Sequence, residues 1–228
     1  SSLLPEASNS GPYCGGDDGQ LFTGTYASYS WTGPLGFSST QQNPSLPNVQ
    51  PSQSGQYTVV VSDENGCTGS ATTMVIMNPT PTVTASNTGP YCQGSTIQLS
   101  SEPAGLASYQ WTGPQNYNGN GQSVSRSNST PTMSGTYTVV ASNSNGCTGS
   151  ATTNVIVDAN VNATINPISP VCLDNGLVQL TAQTQGGLWS GPGVASGSFN
   201  PNADESGVGT HTISYEINNG ACSDSDQT

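Results

Sequence analysis

Charge is what this 228-residue chain has least of: only 6% of its residues are Asp, Glu, Lys or Arg, lysine is absent, and Arg126 is the one strong cation. A chain of net charge -12 with a single arginine cannot neutralise a phosphate backbone, which excludes nucleic-acid binding. The same deficit removes electrostatic docking on anionic lipid. No stretch approaches the ~20 apolar residues of a membrane-crossing helix, so no membrane insertion is expected. The opening Ser1-Ser2-Leu3-Leu4-Pro5-Glu6 lacks the basic region and apolar core of a signal peptide. It reads as the start of a mature or excised segment, with any anchor outside it. Histidine is scarce too, leaving His211 as the sole candidate imidazole base. With one histidine and no CxxC pair, a structural zinc site has no ligand set.

Gly, Pro, Ser, Thr and Asn fill the space that charge leaves. Such polarity reads as disorder only where apolar residues are scattered; here they cluster in short β-branched and aromatic runs, as strands do. Six cysteines, Cys14, Cys67, Cys92, Cys147, Cys172 and Cys222, suit an oxidising compartment, which places the chain extracellularly or on a cell surface.

The cysteines fall two to a repeat. Repeat 1 carries Gly11-Pro12-Tyr13-Cys14, Tyr29-Ser30-Trp31-Thr32-Gly33-Pro34, Ser54-Gly55-Gln56-Tyr57-Thr58-Val59 and Asn65-Gly66-Cys67. Repeat 2 carries Gly89-Pro90-Tyr91-Cys92, Tyr109-Gln110-Trp111-Thr112-Gly113-Pro114, Ser134-Gly135-Thr136-Tyr137-Thr138-Val139 and Asn145-Gly146-Cys147. Trp to Tyr is 26 residues and Tyr to Cys 10 in both, a registration specific to true repeats. Repeat 3 is divergent, with Val171-Cys172, Trp189-Ser190-Gly191-Pro192, Phe199-Asn200-Pro201 and Cys222. Its run Gly209-Thr210-His211-Thr212-Ile213 sets His211 where Tyr57 and Tyr137 stand. Runs such as Thr96-Ile97-Gln98-Leu99-Ser100 alternate with period two, and the Asn-Gly pairs predict tight hairpins. No helical periodicity is sustained. The fold class is therefore all-β, three tandem immunoglobulin-like sandwiches over residues 1–79, 80–159 and 160–228, joined by the short linkers Asn78-Pro79-Thr80-Pro81 and Asp158-Ala159-Asn160 into a semi-rigid rod. Trp31, Trp111, Trp189, Tyr57 and Tyr137 are the expected core.

A Cys before an alternating strand, a central Trp, Ser-Gly-x-Tyr-Thr-Val and a hairpin Asn-Gly-Cys together resemble the PKD-like and Ig-like repeats of long bacterial surface proteins, the gliding-adhesin repeats among them. The resemblance covers all three repeats and is strongest in the first two. It implies tandem display outside the cell, adhesion or polymer binding, and no catalysis; it supplies no catalytic or ligand residues. The chain departs from immunoglobulin domains proper, where the Tyr stands two residues before the second Cys.

Candidate sites are few. His211 reads as a packed strand residue. The acidic pairs Asp17-Asp18, Asp63-Glu64 and Asp204-Glu205 read as loop charge rather than glycosidase carboxylates, each lying in its own turn-rich segment. No cofactor is expected; calcium is the one ion that Asp- and Asn-rich loops leave open. Phe37 and Tyr117, after the Trp strands, are the candidate aromatic platforms for surface polysaccharide. Asn128 and Asn162 head N-x-S/T sequons and are candidate glycosylation sites.

Two cysteine pairings are open. Cys14–Cys67, Cys92–Cys147 and Cys172–Cys222 need no neighbour and are preferred; Cys14–Cys147 with Cys92–Cys222 is the staggered alternative. After Cys222 only Ser223-Asp224-Ser225-Asp226-Gln227-Thr228 remains, so repeat 3 is expected to lack most of its last strand. Either the strand follows in a longer chain or a neighbouring subunit donates one, with residues 2–7 as the candidate donor. The functional expectation is a non-catalytic adhesin or stalk segment whose partners are neighbouring repeats or subunits. A polymerising filament subunit and an accessory carbohydrate-binding region of a secreted enzyme are the alternatives.

Overall fold

The computed structural model describes residues 3–203 and 207–228; the pair Asp204-Glu205 lies outside them. Within these residues the chain is built of short strands, and helical geometry is confined to three 3-10 turns, Pro34–Gly36, Pro51–Gln53 and Pro131–Met133. It divides into two compact units. One takes Ser1–Val83, Pro103–Tyr109 and Val140–Ser150; the other takes Thr84–Glu102, Gln110–Val139 and Ala151–Thr228.

Repeat 1 forms β1 Ala7–Asn9, β2 Tyr13–Cys14, β3 Gly19–Thr23, β4 Ser28–Thr32, β5 Ser38–Ser39, β6 Ser45–Leu46, β7 Gly55–Ser62, β8 Thr68–Val75 and β9 Met77–Asn78. One sheet runs β1-β3-β6, the other β5-β4-β7-β8, and β2 lies parallel to β9. That is an immunoglobulin-like sandwich, its two sheets facing across one core. The β7–β8 hairpin pairs over its full length, from Gly55↔Val75 to Ser62↔Thr68, and Gly66 supplies the positive φ of its turn. Along β7 the period-two alternation sends Tyr57, Val59 and Val61 inward and leaves Val60 44% exposed. With Leu21, Trp31, Leu46, Val49, Val75 and Met77 they make the core of the repeat, and Leu3 and Ala7 pack on its edge.

Repeat 2 repeats the plan with β10 Thr84–Asn87, β11 Tyr91–Cys92, β12 Ile97–Glu102, β13 Ser108–Gly113, β14 Tyr117–Asn120, β15 Ser123–Arg126, β16 Gly135–Ser142, β17 Thr148–Val155 and β18 Val157–Asp158. Its sheets run β10-β12-β15 and β14-β13-β16-β17, again with a parallel pair, β11 and β18.

Repeat 3 is thinner: β19 Val178–Gln179, β20 Leu188–Ser190, β21 Val194–Ala195, β22 Ser198–Phe199, β23 Ser214–Asn218 and β24 Ser223–Gln227, in sheets β19-β22-β21 and β20-β23-β24. Two expectations are corrected here. The polar tail does form a strand: β24 pairs with β23 from Asn218↔Ser223 to Ser214↔Gln227, and Thr228 exchanges both backbone hydrogen bonds with Ile213. An edge strand needs no apolar alternation, and β8 of repeat 1 is itself mostly polar. Second, Trp189 pairs with Tyr215 as Trp31 pairs with Val59, so the place of Tyr57 is taken by Ile213 and not by His211. His211 lies two residues earlier, half-buried, its Nε2 3.2 Å from the Gly207 carbonyl oxygen.

Candidate functional site

The repeated motifs build two structures, a lock inside each of the first two sandwiches and a cysteine at each end of a repeat. The lock starts from Trp-Thr-Gly-Pro. A Cβ on Gly33 would lie 2.5 Å from Cδ1 and Cε1 of Tyr57, and one on Gly113 2.5 Å from Cδ1 of Tyr137. The tyrosine ring thus lies flat on the glycine. The ring also makes a T-shaped contact with a second aromatic, Phe37 at 5.3 Å in repeat 1 and Tyr117 at 5.6 Å in repeat 2. Tyr57 donates to the Gln53 carbonyl and Tyr137 to that of Met133. Phe37 and Tyr117 are therefore half-buried packing residues, a correction to their reading as open platforms for sugar. Arg126 completes the second lock: its guanidinium donates to the Tyr137 hydroxyl at 2.9 Å and the Pro114 carbonyl at 3.0 Å, and stands 5.1 Å from the Tyr117 ring centre. Burial pushes the Tyr57 and Tyr117 phenols above their ordinary value; at Tyr117 the neighbouring Tyr137 adds to the rise and Arg126 opposes it.

Trp31, Trp111, Tyr57 and Tyr137 are wholly buried. Trp189 is only half-buried, packed against two small clusters and stacked on Tyr215 at 4.4 Å.

Gly-Pro-Tyr-Cys forms the base of each of the first two sandwiches. The Gly11–Pro12 and Gly89–Pro90 bonds are cis, and the tyrosine ring folds back over the glycine. The Tyr13 hydroxyl accepts from Ser10 and Gln20 N–H and donates to the Gln20 carbonyl; Tyr91 does the same with Thr88 and Gln98. This pins Cys14 beside Asn78, and Cys92 beside Asp158, in the parallel pairs. The second cysteine sits in the hairpin at the other end. Its N–H and carbonyl are held by the residue that opens the turn, Asp63 for Cys67 and Asn143 for Cys147.

The disulfides follow from that placement. Cys14 bonds Cys147, with a Cα separation of 5.5 Å, and Cys92 bonds Cys222, at 4.9 Å. This is the staggered pairing; the preferred within-repeat pairing, Cys14–Cys67, Cys92–Cys147 and Cys172–Cys222, is corrected. Cys67 is separated from Asn78, and so from Cys14, by the whole of β8, about 26 Å of extended chain, where a disulfide tolerates ~6 Å. Cys67 and Cys172, expected to be bonded, are free thiols. Each bond lies inside one compact unit, and each unit draws on more than one repeat. In the first, Asn143 Nδ2 donates to the Pro79 carbonyl, and a Cβ on Gly149 would run into the Pro81 carbonyl oxygen. In the second, Asn219 Nδ2 donates to the Ala159 carbonyl and Asp158 Oδ2 accepts from Ala221 N–H.

The remaining candidates serve local structure. Asp17 caps Cys14 N–H at 2.8 Å, Asp18 accepts from Asn48 N–H, and Asp63 accepts from Asn65 and Cys67. Among the described residues no three His, Cys, Asp or Glu side chains converge on a metal position. Asn128 and Asn162 are both exposed; Asn128 holds φ 53, and Asn162 Oδ1 accepts from Thr164 N–H. Of residues 2–7, cast as a strand donor, the described part is engaged at home: Leu3 N–H donates to the Thr68 carbonyl, and Ala7 opens β1, which pairs with β3. Sequence reasoning missed the lock, although the recurrence of Gly before Pro and of Tyr after Ser-Gly-x was the signal for it.

Compared with known proteins, the chain matches no family profile and no curated sequence. Among solved structures it is similar to murine CEACAM1b (13% identity, TM-score 0.35, 68% of this chain and 100% of that one). It is similar also to the three N-terminal domains of the highly immunogenic outer capsid protein Hoc of bacteriophage RB49 (13%, 0.37, 97% and 96%). A third likeness is to the mouse coronavirus receptor-binding domain complexed with its murine receptor (10%, 0.40, 68% and 100%).

Proposed function

We propose that this chain is a non-catalytic extracellular segment of a bacterial surface adhesin or stalk, made of three Ig-like domains with sequence boundaries at 1–79, 80–159 and 160–228. The observation that carries the reading is the staggered pair of disulfides, each closing a unit that spans more than one repeat. Such bonds persist outside the reducing cytosol, and they hold successive domains in series where a load or a bound partner would act. The titratable side chains support the same reading. Asp17, Asp18 and Asp63 hold backbone N–H groups, and His211 contacts a backbone carbonyl rather than a nucleophile or acid. Partners are then neighbouring repeats or other surface macromolecules, and the exposed Asn128 and Asn162 are open to glycan.

The test is surface display. A Fab raised against the folded chain should label intact cells of the source organism, and a brief external protease treatment should remove the label. Deleting the coding segment should reduce cell attachment to polysaccharide-coated glass. Labelling seen only after permeabilisation overturns the reading.

A further inference from the structure

The two free thiols sit in cysteine positions that are bonded everywhere else in the chain. Each bond joins a base cysteine of one repeat, Cys14 or Cys92, to the hairpin cysteine of the next, Cys147 or Cys222. Cys67 is a hairpin cysteine and Cys172 a base cysteine. Both are already seated as their bonded counterparts are. Cys67 N–H donates to Asp63 Oδ1 at 2.8 Å and its carbonyl accepts from Asp63 N–H at 3.0 Å; for Cys147 and Asn143 both distances are 3.0 Å. Cys172 N–H donates to Asn175 Oδ1 at 3.1 Å and its carbonyl accepts from Asn175 N–H, as Cys14 does with Asp17.

Two further observations concern the surroundings of the thiols. Leu3 and Pro5 lie where a Cβ on Gly69, two residues after Cys67, would meet them, and Pro81 and Val83 lie in that way at Gly149, two residues after Cys147. The segment before repeat 1 thus passes its hairpin as the linker from repeat 1 passes that of repeat 2. The bonded hairpin cysteines are covered, Cys147 at 0% and Cys222 at 3% exposure, whereas Cys67 is only half-buried. At the other end, Cys172 lines an open cleft of about 550 Å³ with Val171, Phe199, Val208 and Ile213. In repeat 1 the residue before the base cysteine, Tyr13, is instead paired with Met77 of β9, and both are buried.

We infer that Cys67 and Cys172 are half-joints: Cys67 takes a disulfide from the base cysteine of a repeat of this type stacked before repeat 1, and Cys172 one from the hairpin cysteine of a repeat stacked after repeat 3. In each bond two thiols lose their protons, one S–S bond forms, and the two electrons reduce an acceptor disulfide, of a dithiol oxidant or of glutathione, to two thiols. The added repeat belongs either to the same polypeptide or to a second copy of this chain. In the second case Cys172 of one copy meets Cys67 of the next, a head-to-tail contact that does not close on itself. The inference rests on the extracellular reading, because such bonds need an oxidising compartment.

The deciding experiment is disulfide mapping of the protein from its source, with thiols blocked by N-ethylmaleimide before lysis. Cys67 and Cys172 recovered in disulfides to cysteines of other repeats supports the inference. Either residue recovered as the blocked thiol, while Cys14–Cys147 and Cys92–Cys222 are intact, overturns it and leaves the proposed function standing. All six cysteines recovered blocked would strike the extracellular reading instead. The source of the partner is read by mixing purified Cys67→Ser and Cys172→Ser chains in a glutathione redox buffer. A dimer that appears only in the mixture, linked Cys67–Cys172, assigns a second copy. Monomers throughout assign an adjoining repeat of the same polypeptide. Equal dimerisation of each variant alone marks two indiscriminate surface thiols and overturns the inference.

Discussion

Gly33→Ala isolates the contact on which the repeated Trp-Thr-Gly-Pro motif turns. Gly33 has φ -165 and ψ -172, an extended backbone open to any residue, so no conformational strain accompanies the substitution. The entire effect is steric. The new Cβ would stand 2.5 Å from two carbons of the Tyr57 ring, where ordinary carbon contacts lie at about 3.5–4.0 Å. The ring must withdraw by roughly 1 Å, and it has little room to do so. Tyr57 is 0% exposed, its hydroxyl is bonded to the Gln53 carbonyl at 3.2 Å, and the Phe37 ring packs against it at 5.3 Å. Overpacking of this kind costs about 1–3 kcal/mol.

The assay is urea unfolding of the whole chain, with hydrogen exchange at the β7 amides to localise the change. At a slope near 2 kcal/mol/M, a loss of about 2 kcal/mol moves the midpoint by roughly 1 M. Gly113→Ala should behave alike, since its Cβ meets Tyr137 at the same 2.5 Å. The decisive variant is Gly33→Ala on a Tyr57→Leu background, where the ring is gone and the added methyl should cost less than about 0.5 kcal/mol, giving a coupling of about 1–3 kcal/mol. Strict additivity, or a Gly33→Ala chain indistinguishable from the parent, would refute the lock.

Other expectations are equally direct. Arg126→Ala removes the donors to Tyr137 and Pro114 and should destabilise repeat 2 by about 1–3 kcal/mol, read by exchange at β14 and β15. Gly149→Ala drives a methyl into the Pro81 carbonyl and should raise exchange across residues 78–83 while β3 and β4 keep their protection. Burial raises the folded-state pKa of Tyr57, so its proton is held more tightly in the native state; stability should be level up to the unfolded phenol value near 10 and fall as pH climbs through the folded value. Tyr57→Phe should remove that component of the alkaline loss, as followed by thermal melts from pH 8 to 11.

Much of the fold could be read from the chain because the apolar strands announce themselves through alternation and the hairpins at Gly66 and Gly146 through Asn-Gly, with φ of 79 and 81. What escaped reading was long-range. Cysteine pairing depends on the length of β8, which carries Cys67 to the opposite end of its sandwich from Cys14. That length was implicit in the run from Thr68 to Val75, but polar residues there disguise a strand as loop. The same disguise hid β24. In repeat 3, the likeness of Gly209-Thr210-His211-Thr212 to Gly135-Thr136-Tyr137-Thr138 suggested the wrong alignment, and the pairing of Trp189 with Tyr215 sets Ile213 in the tyrosine's place. Phe37 and Tyr117 read as surface aromatics because nothing local shows that a tyrosine some 20 residues on folds beneath them.

A sandwich with its two cysteines at opposite ends cannot use them on itself, so its interior must hold without a cystine. This leads to a final prediction about reduction. The bonds close 133 and 130 residues of chain, for which loop entropy gives about 5 kcal/mol each when everything inside the loop unfolds together. If each sandwich opens on its own, the neighbour stays folded inside the loop and most of that entropy is never released. The wholly buried Trp31, Tyr57 and Val59 core and the Gly33 lock belong to repeat 1 alone, which favours the second case. Dithiothreitol should therefore free Cys14, Cys92, Cys147 and Cys222 with little change in exchange at Tyr57, Val59 and Val61. Protection should instead drop in the hairpin at 143–147, in the linkers at 78–83 and 158–160, and at Ala221. The measurement is hydrogen exchange with mass spectrometry on oxidised and reduced chains at equal concentration. A loss of several kcal/mol of protection in the β7 core on reduction would mean that the disulfides hold the domains themselves together.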